Sequence, residues 1–231
     1  MREQMNRVLV IAAHADDETL GCGGTIAKHV EHGDAVHVLV LTIPALRSTV
    51  ILDNVNARYS SRVADAIETR QREALRAAEI LGVTMSFANF PEVRSESYAL
   101  TALITAIERA VSEHAPTIVY THADSDINQD HRLAHEATLI ALRPWAHRGV
   151  SRVLGYAVDV VGLRAFTPRV FVALTEEQYE RKLRALECYV SERREPPHPR
   201  SLAMIAARAR ATGAKCAAWY AEEFDLVWER I

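Results

Sequence analysis

Four side chains able to do chemistry crowd the end of the first hydrophobic run. Val8-Leu-Val-Ile-Ala-Ala leads directly into His14, Asp16, Asp17 and Glu18. An imidazole and three carboxylates so placed repel one another and resist desolvation, and buried charges persist when paired or bound to a metal. A cation removes that cost. A second cluster, Thr121-His-Ala-Asp-Ser-Asp-Ile-Asn-Gln-Asp-His-Arg132, follows the β-branched run Pro116-Thr-Ile-Val-Tyr120. If both runs are strands of one sheet, their ends can bring His14, Asp17 and His131 together. Two histidines and a carboxylate, with a position open to water, form the usual ligand set of a hydrolytic zinc site. Magnesium and calcium prefer all-oxygen shells, whereas iron(II) and other divalent transition metals suit the same set as zinc.

The elements that must position these groups follow from the pattern around them. Val8 to Ile11, rich in Val and Ile, reads as a buried parallel strand. Thr25-Ile-Ala-Lys-His-Val-Glu-His32, closed by Gly33, reads as a helix. Strand, polar turn and helix put the cluster at the carboxyl end of a strand, where open α/β sheets bind ligands. Further strands are expected near 36–42, 84–88 and 117–121, with helices near 20–32, 65–81, 99–114 and 131–143. Such alternation implies parallel pairing with right-handed crossovers. Residues 152–159 and 169–174 read as two more strands, and helices at 176–190 and 201–213 complete the chain around the Pro196-to-Pro199 loop. The fold class is therefore α/β: a Rossmann-like, doubly wound, mostly parallel sheet with helices on both faces, in a single domain spanning 1–231. The polar stretch 44–64, with Arg47, Asp53, Asn54, Asn56 and Arg58, is either a substrate-facing lid or a long loop. Gly21, Gly23 and Gly24 match neither the dinucleotide fingerprint nor a phosphate-binding Gly-Lys-Ser/Thr loop, and read as room for tight helix packing.

Composition narrows the class. At 231 residues the chain fits one domain with a sizeable core. A formal net charge of −3 provides no basic face for nucleic acid. No apolar run approaches the roughly 20 residues that span a membrane, and the first strand does not read as a signal peptide. The three cysteines, Cys22, Cys188 and Cys216, form neither a disulfide framework nor a Cys-x-x-Cys site. The expected compartment is the cytoplasm.

His14-Ala-Asp-Asp-Glu18 resembles the His-Pro-Asp-Asp-Glu signature of the LmbE-like (PIG-L) superfamily of metal-dependent N-deacetylases. Asp126-Ile-Asn-Gln-Asp-His-Arg132 is similar to that superfamily's second motif. Arg70-Gln-Arg-Glu73 with Ala77-Ala-Glu-Ile-Leu-Gly82 resembles its intervening helix, and Pro197-His-Pro-Arg-Ser201 a segment of one branch. The resemblance implies that His14, Asp17 and His131 hold zinc and that Asp16 is the general base. It also implies that Arg70 contacts substrate, where a planar donor fork suits sugar hydroxyls or an acid group. It further implies a small-molecule substrate of the N-acetylglucosamine type and a homo-oligomeric enzyme. Read from its position alone, Asp16 is instead a helix N-cap. Glu18 is expected to be architectural, capping the helix or orienting a ligand.

Two residues depart from the family pattern. Ala15 replaces a Pro, which removes no chemistry. Asn128 stands where many members carry a His that stabilises the oxyanion or protonates the leaving group. Asn can donate to an oxyanion but cannot act as an acid near neutral pH. His122, at the end of the same strand, and His198, between two prolines, are the candidate replacements. Asp130 is expected on the substrate side, orienting such a His, or else behind His131. His135, four residues after His131, is expected to support or pack. A bulkier thiol or glycoside conjugate as amide substrate, and a non-catalytic metal-holding module, are the alternatives.

Overall fold

A computed structural model describes residues 5–43, 61–91, 100–158 and 165–231. Most of the polar stretch expected as a lid or loop, and the end of the 152–159 strand, lie outside these residues. Seven strands form one sheet: β1 (Arg7–Ala12), β2 (Ala35–Ile43), β3 (Thr84–Pro91), β4 (Ile118–His122), β5 (Arg152–Tyr156), β6 (Val170–Leu174) and β7 (Tyr220–Glu229). Their order is β3-β2-β1-β4-β5-β7-β6. The first five neighbours pair parallel; β7 runs antiparallel to both β5 and β6.

Side chains alternate across a strand, and β1 uses both sides. Val8, Val10 and Ala12 enter one apolar cluster, together with Ile26, Ala74, Ala77, Leu81 and Leu186. Leu9, Ile11 and Ala13 enter the other, with Leu103, Ile107, Ala134 and Ala137. Helices α1 (Asp17–Glu31), α2 (Ser61–Leu81), α5 (Glu176–Glu187) and α6 (Leu202–Lys215) contribute to the first layer. Helices α3 (Leu100–His114) and α4 (Gln129–Ala141) supply the second. This is the expected doubly wound α/β arrangement. Each buried Val, Leu and Ile side chain of β1 stabilises the fold by about 1.5–3 kcal/mol, which anchors the strand that carries the cluster. No helix among the described residues is long and apolar enough to cross a membrane.

Strand β7 was not expected from the sequence. Its Glu222 and Glu223 are 5% and 8% exposed and interrupt any apolar alternation. Each has a lysine partner: Lys182 on α5 bonds Glu222, and Lys215 on α6 bonds Glu223. Glu222 also holds a break in α1. Cys22 leaves helical geometry there (φ −142°, ψ 21°). Beyond the break, the Gly24 and Thr25 N–H groups donate to the two oxygens of Glu222 at 3.0 and 2.7 Å, and the Thr25 hydroxyl donates at 2.6 Å. A helix start needs such acceptors, and a carboxylate suits its positive end. The glycines serve close packing. A Cβ at Gly21 would lie 2.1 Å from the Tyr156 ring, and one at Gly24 2.3 Å from Leu174.

Candidate active site

Strands β1 and β4 are neighbours, but the chain winds away from them in opposite directions, to β2 and β3 on one side and to β5 on the other. Such a switch point opens a crevice at the carboxyl ends of the strands. Both polar clusters lie in it. His14 Nδ1 and His131 Nε2 face each other at 3.1 Å, and Asp17 Oδ2 lies 3.2 Å from the first and 3.3 Å from the second. The three donor atoms fall within 4.8 Å of one another. Two imidazole nitrogens at this distance need a proton or a cation between them, because facing lone pairs repel. The second oxygen of Asp17 is buried and has no hydrogen-bond partner among the described residues. Two nitrogens, a carboxylate and an orphaned buried oxygen fit a divalent transition metal.

A carboxylate stands behind each histidine. Asp130 Oδ2 lies 3.0 Å from His14 Nε2, and Asp126 Oδ2 lies 2.7 Å from His131 Nδ1. Such partners fix the ring orientation and raise ligand basicity. Asp130 therefore backs His14, and not His131, which was one of the places the sequence offered it. Asp126 takes the place behind His131, and its motif position was the available signal. A second grouping, His122, Asp126 and His131, also falls within 4.8 Å. There the imidazoles of His122 and His131 stack at 4.1 Å with planes 23° apart, so their in-plane lone pairs run side by side and do not converge.

Electrostatics separate the two adjacent aspartates. Burial acts to raise Asp17, but His131, His14 and His122 around it outweigh that and hold it well below the usual carboxylate range. Asp16 is pushed up to about 7 by burial and by the Asp17 charge, against the pull of Arg70 and Arg200. Burial acts to lower His131, yet Asp17 and Asp126 carry it to about 9. His122 falls to about 4, mainly through burial.

The Asp16 side chain makes no cap hydrogen bond to α1, contrary to the helix-cap reading. Its φ of 142° is one that L-residues rarely adopt, a strain typical of functional positions. Its N–H donates to Glu18 Oε2 at 3.2 Å. Glu18 is fully buried, and its other oxygen accepts from the hydroxyls of Thr19 and Tyr189. Tyr189 thus reaches the strained residue through Glu18. A cavity of about 360 Å³ opens over this point, lined among others by Asp16, Leu20, Tyr189, Glu192, Arg200 and Leu202. Arg200 Nη1 lies 3.7 Å from Asp16 Oδ2. The sequence assigned Tyr189 and Arg200 no role, although Arg200 sits in the quoted Pro-His-Pro-Arg-Ser segment.

The remaining candidates fall elsewhere. His122 is fully buried; its Nε2 accepts the Ala13 N–H at 2.9 Å and lies 3.2 Å from the Tyr156 hydroxyl. It supports the floor beneath His14, Asp17 and His131, with Nε2 3.4 Å from Asp17 Oδ2, and is not part of the cavity lining. His198 is exposed, and its Nδ1 accepts the Arg200 N–H at 3.1 Å. Asn128 caps α4, its side-chain oxygen accepting from the Asp130 N–H at 2.9 Å. Arg70 lies 3.3 Å from Glu192 and 3.4 Å from Ser191, close enough to the site for its charge to pull on Asp16. His135 Nδ1 bonds the His122 carbonyl at 2.8 Å, a packing role as expected.

Residues 9–142, which contain both clusters, match the family described as "PIG-L: GlcNAc-PI de-N-acetylase". The chain belongs to the PIG-L family. Within it, the chain is 30% identical over 190 residues to "Uncharacterized deacetylase YaiS" of Escherichia coli (strain K12), covering 80% of this chain and 90% of that one. It is 32% identical over 148 residues to the 4-oxalmesaconate hydratase of Pseudomonas putida KT2440, covering 61% of this chain but only 55% of that protein. The crystal structure of GalB, the 4-carboxy-2-hydroxymuconate hydratase of the same organism, superposes with a TM-score of 0.80 at 23% identity, covering 98% of both chains. The fold shared with that structure extends over the whole sheet, including β6 and β7 beyond the residues the family matches.

Proposed function

We propose that this PIG-L protein is a zinc-dependent hydrolase that removes an N-acetyl group from an amino sugar or amino-sugar conjugate of the N-acetylglucosamine type. The observation that carries this reading is Asp16: a buried carboxylate freed from helix capping, lining a cavity beside His14, Asp17 and His131. The family description and the E. coli deacetylase support the reaction type. Zinc held by those three residues supplies Lewis acidity and a water that ionises near neutral pH, and iron(II) suits the same donors. Asp16 takes the proton of the attacking water and returns it to the departing nitrogen. Such a base contributes about 10²–10⁴-fold. Asp126 and Asp130 keep the two imidazoles turned toward Asp17, and Glu18 fixes the backbone from which Asp16 projects. The same reading takes a small-molecule amino sugar as the partner and a cytoplasmic homo-oligomer as the working form.

A second reading is favoured by the P. putida hydratase: addition of water to an unsaturated carboxylic acid. Arg200 beside Asp16 would suit a carboxylate there. One experiment separates the two. Purified protein is assayed for metal content, for acetate release from N-acetylated amino sugars, and for absorbance loss with unsaturated polycarboxylates, each with and without chelator. Chelator-sensitive acetate release that Asp16→Asn abolishes without metal loss upholds the hydrolase. Turnover of the polycarboxylates alone replaces it with the hydratase.

A further inference from the structure

We propose that Tyr189 is a positioning residue for Asp16, acting through Glu18 to hold the strained backbone from which the base projects. This rests on the hydrolase reading and goes beyond it. The Asp16 conformation is costly, and a φ of 142° persists only where surrounding contacts over-determine it. Two bonds of its own peptide groups do so. The Asp16 carbonyl accepts the Leu20 N–H at 2.8 Å, and the Asp16 N–H donates to Glu18 Oε2 at 3.2 Å. The first comes with α1. The second depends on where a long side chain is held.

Glu18 is fully buried, and its other oxygen accepts from the hydroxyls of Thr19 and Tyr189. Thr19 is the chain neighbour of Glu18 and moves with it. Tyr189 follows the end of α5, so its hydroxyl fixes the carboxylate against a separate element. Tyr189 is itself firmly placed: its side chain is buried, and its N–H bonds the Leu186 carbonyl at 3.1 Å. The turn it opens, Val190–Glu192, is fastened to α2. Glu73 takes the Ser191 N–H at 2.9 Å on one carboxylate oxygen and the Ser191 hydroxyl on the other. Arg70, one helical turn earlier, lies 3.4 Å from that hydroxyl and 3.3 Å from Glu192. The same arginine pulls on Asp16. One short turn therefore connects α2 to the base twice, by a hydroxyl that holds its backbone through Glu18 and by a cation that attracts its carboxylate.

Asp16 can act as a base only from within hydrogen-bond reach of the attacking water. Without the Tyr189 hydroxyl, Glu18 keeps Thr19 but loses its anchor outside α1. The Asp16 N–H then has no fixed acceptor, and the residue relaxes toward ordinary φ values, carrying its carboxylate with it. A displacement of about 1 Å costs about 10²-fold in rate. Contacts that hold the substrate elsewhere in the cavity are untouched, so the loss falls on kcat.

The test uses the full-length, metal-loaded protein carrying Tyr189→Phe, which deletes the hydroxyl and keeps the ring. For acetate release from N-acetylated amino sugars, kcat should fall about 10–100-fold, with KM and metal content little changed. In a Glu18→Met background, where no acceptor remains at 18, the same substitution should lower kcat by less than about twofold. A kcat within about twofold of wild type, a rise in KM alone, or equal losses in the two backgrounds overturns the proposal. Amide hydrogen exchange needs neither turnover nor the second variant. The Asp16 N–H should exchange about tenfold faster in Tyr189→Phe, with the β1 amides unchanged. If the wild type releases no acetate, the hydrolase reading fails by itself, and if Glu18→Met does not fold the cycle is lost. In either case exchange decides: a faster Asp16 N–H upholds the hold of Tyr189 on that backbone, and an equal rate removes it.

Discussion

Replacing Glu222 by Gln keeps the shape of the side chain and deletes one charge at the break in α1. The carboxylate accepts four hydrogen bonds: Gly24 N–H and Lys182 Nζ on one oxygen, Thr25 N–H and hydroxyl on the other. An amide offers one oxygen. In its best orientation that oxygen stays with Gly24 and Lys182, and the Thr25 hydroxyl turns round to accept from the new NH₂. The Thr25 N–H is then left without an acceptor, at about 1–3 kcal/mol. Lys182, 4% exposed, keeps the Leu20 carbonyl at 2.9 Å but loses its counter-charge. Breaking a buried pair in this way costs about 3–5 kcal/mol in total. For a chain of this size, each kcal/mol moves Tm by about 2–4 °C, so the variant should melt roughly 10 °C below wild type. Denaturant unfolding and thermal melts read this directly. Glu223→Gln is the control, because its partner Lys215 is half exposed and such pairs contribute about 0–1 kcal/mol. If Glu222→Gln lies within 1 kcal/mol of wild type, or matches the control, the charge at 222 does not hold the break and the reasoning is wrong.

Three further outcomes are expected. Gly21→Ala drives a methyl into the Tyr156 ring and should destabilise by about 1–3 kcal/mol by overpacking, since that ring is fully buried and its hydroxyl bonds the Ile11 carbonyl; an unchanged melting curve would contradict the packing described. Asp126→Asn weakens the support of His131 and should raise the zinc dissociation constant about 10–100-fold in chelator competition, an effect absent if Asp126 is only a loop acid. His37, stacked on His114 at 3.7 Å, has its pKa lowered from the ordinary 6.5 to about 4 by burial and then by His114. Between those values the unfolded chain binds a proton that the folded chain refuses, so stability present above pH 6.5 falls as pH drops toward 4, by at most about 3 kcal/mol. The difference in unfolding free energy between wild type and His37→Gln should follow that window, and a flat difference refutes the assignment.

Much of the site was legible because its residues are adjacent in sequence to strand ends that the hydrophobic pattern marks. His14, Asp16 and Asp17 follow an unbroken apolar run, and His131 follows another, so type and position together point at the crevice. The supporting groups were harder to see because their roles exist only in three dimensions. Tyr189 reaches Glu18 across 171 positions of sequence, and Arg200 reaches Asp16 from a segment whose most visible feature was His198. Asp126 and Asp130 both sit in the second motif, but which one backs which histidine depends on how α4 turns from β4. Strand β7 stayed hidden for a related reason. Two glutamates in mid-strand argue against a buried strand unless lysines from α5 and α6 are known to meet them. Helix α2 begins earlier than expected, since the apolar stripe of Ala74, Ala77 and Leu81 marks only its packed half.

The backbone of Asp16 bears on how this protein can change over generations. A residue at φ 142° sits where glycine is at ease and aspartate is not. Substitution by glycine would relax the turn, remove a buried carboxylate from beside Asp17, and leave β1 and α1 in place. The fold would gain in durability at the moment the proposed base disappeared. A duplicate gene released from the need to hydrolyse anything therefore has a downhill route to silence at this one codon. Persistence of Asp16 in a living lineage would record continued use of the reaction more faithfully than persistence of any core residue.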